Sequence, residues 1–233
     1  MMSWTVELET DPGRGQEEEA FTVTWDDGRS ERMRLHEYER VYAIPGLYEE
    51  VAQRRLACLG PAVLADALVD AAAPGPPRVF DLGAGNGVVG SELHERGVEV
   101  LVGSDNIAAA RDAAQRDRPG LYAEYLVGEV EALDPVALVE RHGLDALVCA
   151  GALGLGHITA EAFGALWAAF PARSSCTLAA NTAPAGKAAH SDFGDWIAAP
   201  PAGTEIVGSE RFRHRLTMAG DELFYMAVVA RKA

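Results

Sequence analysis

The stretch VFDLGAGNGVVG, residues 79–90, decides how this chain is read. An apolar run that includes Val79 and Phe80 ends on an acid, Asp81; glycines recur on alternate residues at Gly83, Gly85 and Gly87; an amphipathic segment follows. That order is strand, glycine loop, helix. Glycine reaches backbone angles closed to other residues and leaves room where backbone lies against a ligand, so the loop is expected to carry a small molecule across the end of a sheet. The alternative is an ordinary short βα turn, which also uses glycine.

Spacing narrows the ligand. The dinucleotide fingerprint places a small residue three positions after its second glycine, where helix and strand pack closely. Val88 stands there, which argues against NAD. Asp81 followed by Gly83, Gly85 and Gly87 instead resembles the first motif of the class I S-adenosylmethionine-dependent methyltransferases. The resemblance implies a Rossmann-like α/β fold: a seven-stranded methyltransferase sheet with helices on both faces and an antiparallel C-terminal hairpin. It implies S-adenosyl-L-methionine as cofactor, its amino acid part against the backbone of Gly83, Ala84, Gly85, Asn86 and Gly87. Asp81 would then sit near the methionyl ammonium, directly or through water.

Residues downstream fall in the same order. VEVLVGS reads as a second buried strand and ends at Asp105, about 20 residues after the second loop glycine, where an acid accepts hydrogen bonds from ribose hydroxyls. Asn106 follows it, and a helix begins at once in IAAARDAAQR, so the alternative for Asp105 is a helix cap. A third strand, EYLVGEV, ends at Gly128-Glu129-Val130. The resemblance implies Glu129 at the adenine amino group and the Val130 backbone at the ring; aspartate is the commoner residue, and the alternative for Glu129 is an exposed acid at a strand end. In the fourth strand, LDALVCAGALGLGHI, the resemblance puts the backbone of Cys149 and Ala150 against the methionine moiety and the loop beyond along the acceptor site. His157, at the far end of that loop, carries a side chain whose ordinary pKa near ~6.5 suits a general base. A structural or exposed histidine is the alternative.

The remainder supplies a helix over residues 159–170 capped by Thr159, a fifth strand SCTLAAN, and two alternating runs around Ala219-Gly220-Asp221 that read as a hairpin. Five βα units followed by a hairpin is similar to the chain order of the methyltransferase sheet, whereas a nucleotide dehydrogenase would continue with more βα units or a second domain. His214 on the hairpin reads as cross-strand packing. His190 and Asp192 resemble a proton-handling pair, but a surface turn explains them equally, and two ligands without a third make no metal site.

Residues 1–35 read as an N-terminal β-hairpin extension and residues 36–233 as the S-adenosylmethionine-binding methyltransferase domain. FTVTW, Asp26-Asp27-Gly28 and RSERMRL form the hairpin pattern, with an added sheet edge or a homodimer contact as its candidate roles. The acidic run at residues 17–19 reads as a solvated loop. LYEEVAQRRLACL sets Leu47, Val51, Arg55 and Leu59 four apart, with Leu56 beside them, as one inward helical stripe. Gly60-Pro61 opens the next helix, and Pro74-Gly75-Pro76-Pro77 is a linker. Tyr38, Tyr42 and Tyr48 are the polar aromatics available for an acceptor pocket; packed core tyrosines are the alternative, and Tyr48, beside Pro45-Gly46, is the one assigned to substrate binding.

Composition bounds the function. A chain of 233 residues that is 48% hydrophobic suits one large domain. Its net charge of -15 repels phosphate backbones and anionic membranes, so neither nucleic acid nor membrane is expected as a partner. Cys58, Cys149 and Cys176 show neither metal nor disulfide spacing, which fits a reducing, cytoplasmic setting with Cys149 in the core. No stretch approaches the ~20 apolar residues of a membrane span. Cys149-Ala150-Gly151-Ala152 stands where nucleic acid and glutamine amino-methylating enzymes carry an Asn-Pro-Pro-Tyr type signature. The reading is therefore transfer of a methyl group from S-adenosylmethionine to an oxygen or nitrogen of a small molecule. A non-catalytic sensor or scaffold and an NAD(P)-dependent oxidoreductase are the alternatives.

Overall fold

A computed structural model of the chain describes residues 3–11, 13, 15–72, 75–153, 158–181 and 192–233. The first strands, β1 (Trp4–Leu8), β2 (Ala20–Trp25) and β3 (Ser30–Arg34), make an antiparallel sheet in the order β1-β2-β3. The hairpin expected from Asp27-Gly28 forms between β2 and β3, and β1 adds a third strand to it. Alternation along these strands turns Val6, Phe21, Val23, Trp25 and Met33 to one face, where they pack with Val41, Leu47, Val51, Leu56 and Met218. One apolar cluster thus runs across the division suggested at residue 35, joining the first strands to the helices after them and to the tip of the C-terminal hairpin.

Those helices are α1 (Tyr38–Ala43), a π-helical segment (Glu49–Arg55) and α2 (Gly60–Ala71). The expected stripe holds for Leu47, Val51 and Leu56, all fully buried, and fails for Arg55, whose side chain is exposed, and for Leu59, which is 38% exposed. The reason is winding: the Leu56 N–H donates to the carbonyl of Val51, five residues back, and Ala57 takes a φ of 48°, so the segment ends before Leu59.

The large sheet follows with β4 (Arg78–Leu82), α3 (Val88–Glu95), β5 (Glu99–Asp105), α4 (Ala108–Asp117), β6 (Glu124–Val127), α5 (Pro135–His142), β7 (Ala146–Cys149), α6 (Ala160–Ala168), β8 (Ser175–Asn181), α7 (Asp192–Ala198), β9 (Thr204–Leu216) and β10 (Glu222–Lys232). Its strand order is β6-β5-β4-β7-β8-β10-β9, with β4 to β8 parallel and β10 antiparallel to both neighbours. The caps are local: Asp134 accepts from Ala137 N at 3.1 Å with Pro135 opening α5, and Thr159 accepts from Ala162 N at 3.1 Å to open α6. Period-2 side-chain alternation sends Val79 to a cluster with residues of α2 and α3, and Phe80 to the opposite cluster with residues of α5, α6 and α7. After β4 the chain winds outward to β5 and β6, then returns to β7 on the other side of β4. That reversal opens a crevice beyond the carboxyl ends of β4 and β7.

One expectation from composition fails inside this frame. Glu17 and Glu18 are exposed, but Glu19 is only 4% exposed. Its Oε2 accepts from Arg215 Nη2 at 2.6 Å and its Oε1 from Met218 N at 2.7 Å, so the last residue of the acidic run pins the first sheet to the C-terminal hairpin.

Candidate functional site

The crevice holds a cavity of about 280 Å³. One side of it is made by strand ends. Gly83, Ala84, Gly85 and Asn86 follow β4, Asp105 and Asn106 end β5, Glu129 and Val130 follow β6, and Ala150 follows β7. Gly83 and Gly85 sit at φ 69° and 55°. A Cβ at Gly83 would run into the Cβ of Ala152, and one at Gly85 would lie 2.5 Å from the Tyr42 hydroxyl. Both positions therefore need glycine for angle and for space.

Asp105 braces two backbone segments and lines the cavity at the same time; it does not cap α4, whose N-cap is Ile107. Its Oδ2 accepts from Gly85 N and its Oδ1 from Ile107 N, each at 3.0 Å, which ties the glycine loop to the start of α4. The same residue lines the cavity, beside the glycine loop that it holds. Asn106 Nδ2 donates to Glu129 Oε1 at 3.1 Å. Asn86 is held from outside the cavity: its Nδ2 donates to Glu49 Oε1 at 2.7 Å, and its carbonyl accepts from Arg118 Nη1 at 2.8 Å.

Three residues expected at the cofactor stand behind the wall. Gly87 faces the side chains of Leu121, Arg118 and Tyr122 at the start of α3. Cys149 is fully buried in the sheet, and burial pushes its thiol well up. Asp81 is also fully buried, because the strand turns it inward under the loop, where it accepts from the Tyr122 hydroxyl at 2.7 Å. Its Oδ1 is buried with no hydrogen-bond partner among the described residues. His157, Gly154, Gly156, His190 and the side chain of Asp192 lie outside the described residues.

Burial pushes the Asp81 carboxyl up to about 7 against the pull of the Tyr122 hydrogen bond, and the nearby Asp105 charge adds to the push. An acid held above its unfolded value stabilises the fold below that value and loses the contribution as pH rises through 7. His214 has the opposite linkage: burial, helped by Arg215, pushes it down to about 4, so its contribution is lost as pH falls from about 6.5 toward 4. The two oppose each other between pH 4 and 6.5. Asp81→Asn is expected to unmask the histidine. Thermal melts of the variant should rise from pH 4 to 6.5 and then level, and at pH 8 it should exceed the parent by about 1–3 kcal/mol. A pH profile parallel to the parent's would refute the buried acid.

The other side of the cavity comes from residues far apart in the chain. All three tyrosines, Tyr38, Tyr42 and Tyr48, line it. Tyr42 lies 5.1 Å from Tyr48, centroid to centroid, and stacks on Tyr38 at 5.7 Å. Gln16, His36, Cys58, His214, Arg215 and Tyr225 complete this wall, and sequence reasoning assigned none of them to it. His214 stacks on Tyr225, with centroids 4.1 Å apart and planes 9° from parallel. The pairing register between β9 and β10 passes from Arg215 opposite Leu223 to Arg213 opposite Phe224, so His214 is the extra residue of a bulge. Bulges re-aim side chains. Simple alternation along SERFRHRL carries no signal of it.

Strand order, reversal point, hairpin and glycine loop together match one architecture. The fold is that of the class I methyltransferases. Solved structures with this fold include a Pyrococcus horikoshii protein described as an RNA methyltransferase, at 17% identity and TM-score 0.53, covering 76% of this chain and 84% of that one. The magnesium protoporphyrin IX methyltransferase of Synechocystis PCC 6803 with bound S-adenosylmethionine is similar at 16% identity and TM-score 0.53, with 74% and 78% covered. A protein solved in work on the conversion of a disulfide into a thioacetal during echinomycin biosynthesis is similar at 16% identity and TM-score 0.51, with 72% and 81% covered. No protein-family model matches the sequence, and no curated relative does. Among the described residues, no helix is long and apolar enough to cross a membrane, and no group of three or more His, Cys, Asp or Glu could hold a metal ion.

Proposed function

We propose that the protein binds S-adenosylmethionine and transfers its methyl group to an oxygen or nitrogen of a small molecule. The observation that carries this is a single cavity joining the glycine loop and the strand-end acids Asp105 and Glu129 to a wall of tyrosines. The donor half fits the cofactor on two counts. Gly83 and Gly85 leave a cradle that a Cβ would fill. Asp105 lines the cavity at the end of β5, the place for the ribose, and Glu129 stands at the next strand end for the base.

The bound cofactor supplies a methyl group already activated on a sulfonium. The chain's own residues then bind, orient and exclude water. Tyr42 lies directly over Gly85, so it bounds the loop on the acceptor side and sets how closely an acceptor approaches it. Positioning of this kind supplies effective molarities of about 10⁵ M or more. The named acceptors of the structural neighbours run from RNA to a tetrapyrrole, so the cavity rather than the fold sets the acceptor. A net charge of -15 favours a small molecule over RNA.

Calorimetry with S-adenosylmethionine, S-adenosylhomocysteine and NAD tests the donor half. Binding of the first two without the third is expected, and NAD binding alone would reject the reading. Labelled-methyl transfer across a metabolite panel separates an enzyme from a non-catalytic binder. Asp105→Ala removes two backbone anchors along with the ribose acceptor, so cofactor affinity should fall by about 1–3 kcal/mol. Unchanged affinity in a folded variant would remove Asp105 from the site.

A further inference from the structure

The acceptor half of the cavity contains one group that the donor half does not explain. Arg215 is 5% exposed and lines the cavity, whereas its partner Glu19 stands behind it and does not. Arg215 Nη2 donates to Glu19 and Nη1 to the carbonyl of Leu216 at 2.8 Å. A guanidinium has five donors, so donor capacity is left for the cavity. The charge acts the same way. Burial holds Tyr38, Tyr48, Cys58 and Tyr225 protonated and His214 neutral; Arg215 opposes burial at the first four and adds to it at His214, while Asp105 counters it at Tyr38 and Glu19 at Tyr225. Arg215 therefore puts a positive charge on the tyrosine side of a cavity whose strand-end side carries Asp105 and Glu129.

Beside that charge are flat apolar faces with polar tips. The hydroxyls of Tyr122, Tyr125 and Tyr225 have protein partners. Those of Tyr38, Tyr42 and Tyr48 have none among the described residues. A buried tyrosine hydroxyl ordinarily finds a partner, so that of the buried Tyr42 is left for a ligand, with the half-buried Tyr38 and Tyr48 beside it. The size is restrictive too: about 280 Å³ must serve donor and acceptor together, against roughly 300–1,000 Å³ for ordinary ligand sites.

Resting on the methyltransferase reading, we infer that the acceptor is a single aromatic ring bearing an ionised oxygen, a phenolate or an aryl carboxylate, stacked on the tyrosines with its oxygen toward Arg215. Transfer to such an oxygen forms the O–C bond as the S–C bond breaks, and the sulfur keeps the electron pair. The two opposite charges cancel, and no proton is left for the protein to remove. A base in the acceptor wall is then unnecessary, and a cationic amine is disfavoured by the same guanidinium.

The test uses the full chain saturated with S-adenosylhomocysteine and titrated calorimetrically with 4-hydroxybenzoate, salicylate, cyclohexanecarboxylate, benzylamine and a short RNA oligonucleotide. At least one aryl anion should bind at least ten-fold tighter than each of the three comparators. The double variant Glu19→Gln/Arg215→Met keeps the pair's volume without its charges; it should keep its affinity for S-adenosylhomocysteine and lose at least ten-fold for the aryl anion. Should that variant melt early, Arg215→Lys, which keeps the charge and loses the planar fork, replaces it and should weaken the aryl anion several-fold. Equal or tighter binding of benzylamine, cyclohexanecarboxylate or RNA overturns the inference, as does an aryl anion indifferent to the variants. Failure to bind S-adenosylhomocysteine overturns the methyltransferase reading instead, and this inference with it.

Discussion

Arg215→Met alone is expected to cost about 3–5 kcal/mol of folding stability, the scale for breaking a buried pair and leaving one charge uncompensated. Glu19 and Arg215 have side chains only 5% and 6% exposed and meet at 2.6 Å. With the guanidinium gone, the buried Glu19 carboxylate keeps only Met218 N as a described hydrogen-bond donor. The double variant Glu19→Gln/Arg215→Met removes both charges, and replacement of both partners of a buried pair is often neutral or stabilising. Denaturant melts of the parent, the single and the double variant measure this directly. The double should recover most of the loss; a single variant within 1 kcal/mol of the parent would show the pair to be solvated and the first sheet to be held by apolar packing alone.

Gly83→Ala should have a comparable effect through a different cause. The added methyl meets the Cβ of Ala152, which belongs to the loop after β7 and has no flexible arm to swing away. At φ 69° the new side chain is also in the left-handed region, disfavoured by about 1–2 kcal/mol, and overpacking adds about 1–3 kcal/mol. A loss of about 2–5 kcal/mol is expected, with a fall in cofactor affinity of at least ten-fold as the loop shifts. Gly97→Ala is the control: its φ is 77°, but nothing lies within 4 Å of the added carbon. It should lose only the backbone contribution and leave cofactor affinity unchanged. Equal losses at the two positions would mean that the contact with Ala152 is relieved without strain.

The glycine loop and the strand-end acids of the cavity were legible because each is local. An acid and alternating glycines after an apolar run specify a strand, a turn with left-handed angles and a helix, and the same grammar repeats at Asp105 and Glu129. Even so, legibility stopped at the backbone. Asp81, Gly87 and Cys149 belong to the right strand and loop but sit behind the cavity wall, because burial and neighbours such as Tyr122 decide which way a strand-end side chain is served. Leu59 shows the same limit in a helix: a stripe spaced by fours holds only while the winding stays α, and here it passes to a five-residue hydrogen bond at Leu56.

What the sequence by itself determined is the order of elements, and through it the seven-stranded sheet, the reversal between β4 and β7, and the glycine loop at the crevice. These follow from short-range rules of periodicity, turn angles and capping. Only the tertiary structure decided the tyrosine wall of the cavity. Glu19 and Arg215 are 196 residues apart, His214 reaches the cavity through a bulge, and the tyrosines of α1 and the π-helical segment turn toward it because their other faces are taken by the first sheet. No local pattern encodes such meetings; they are set by which apolar faces have to be covered once the sheet is built.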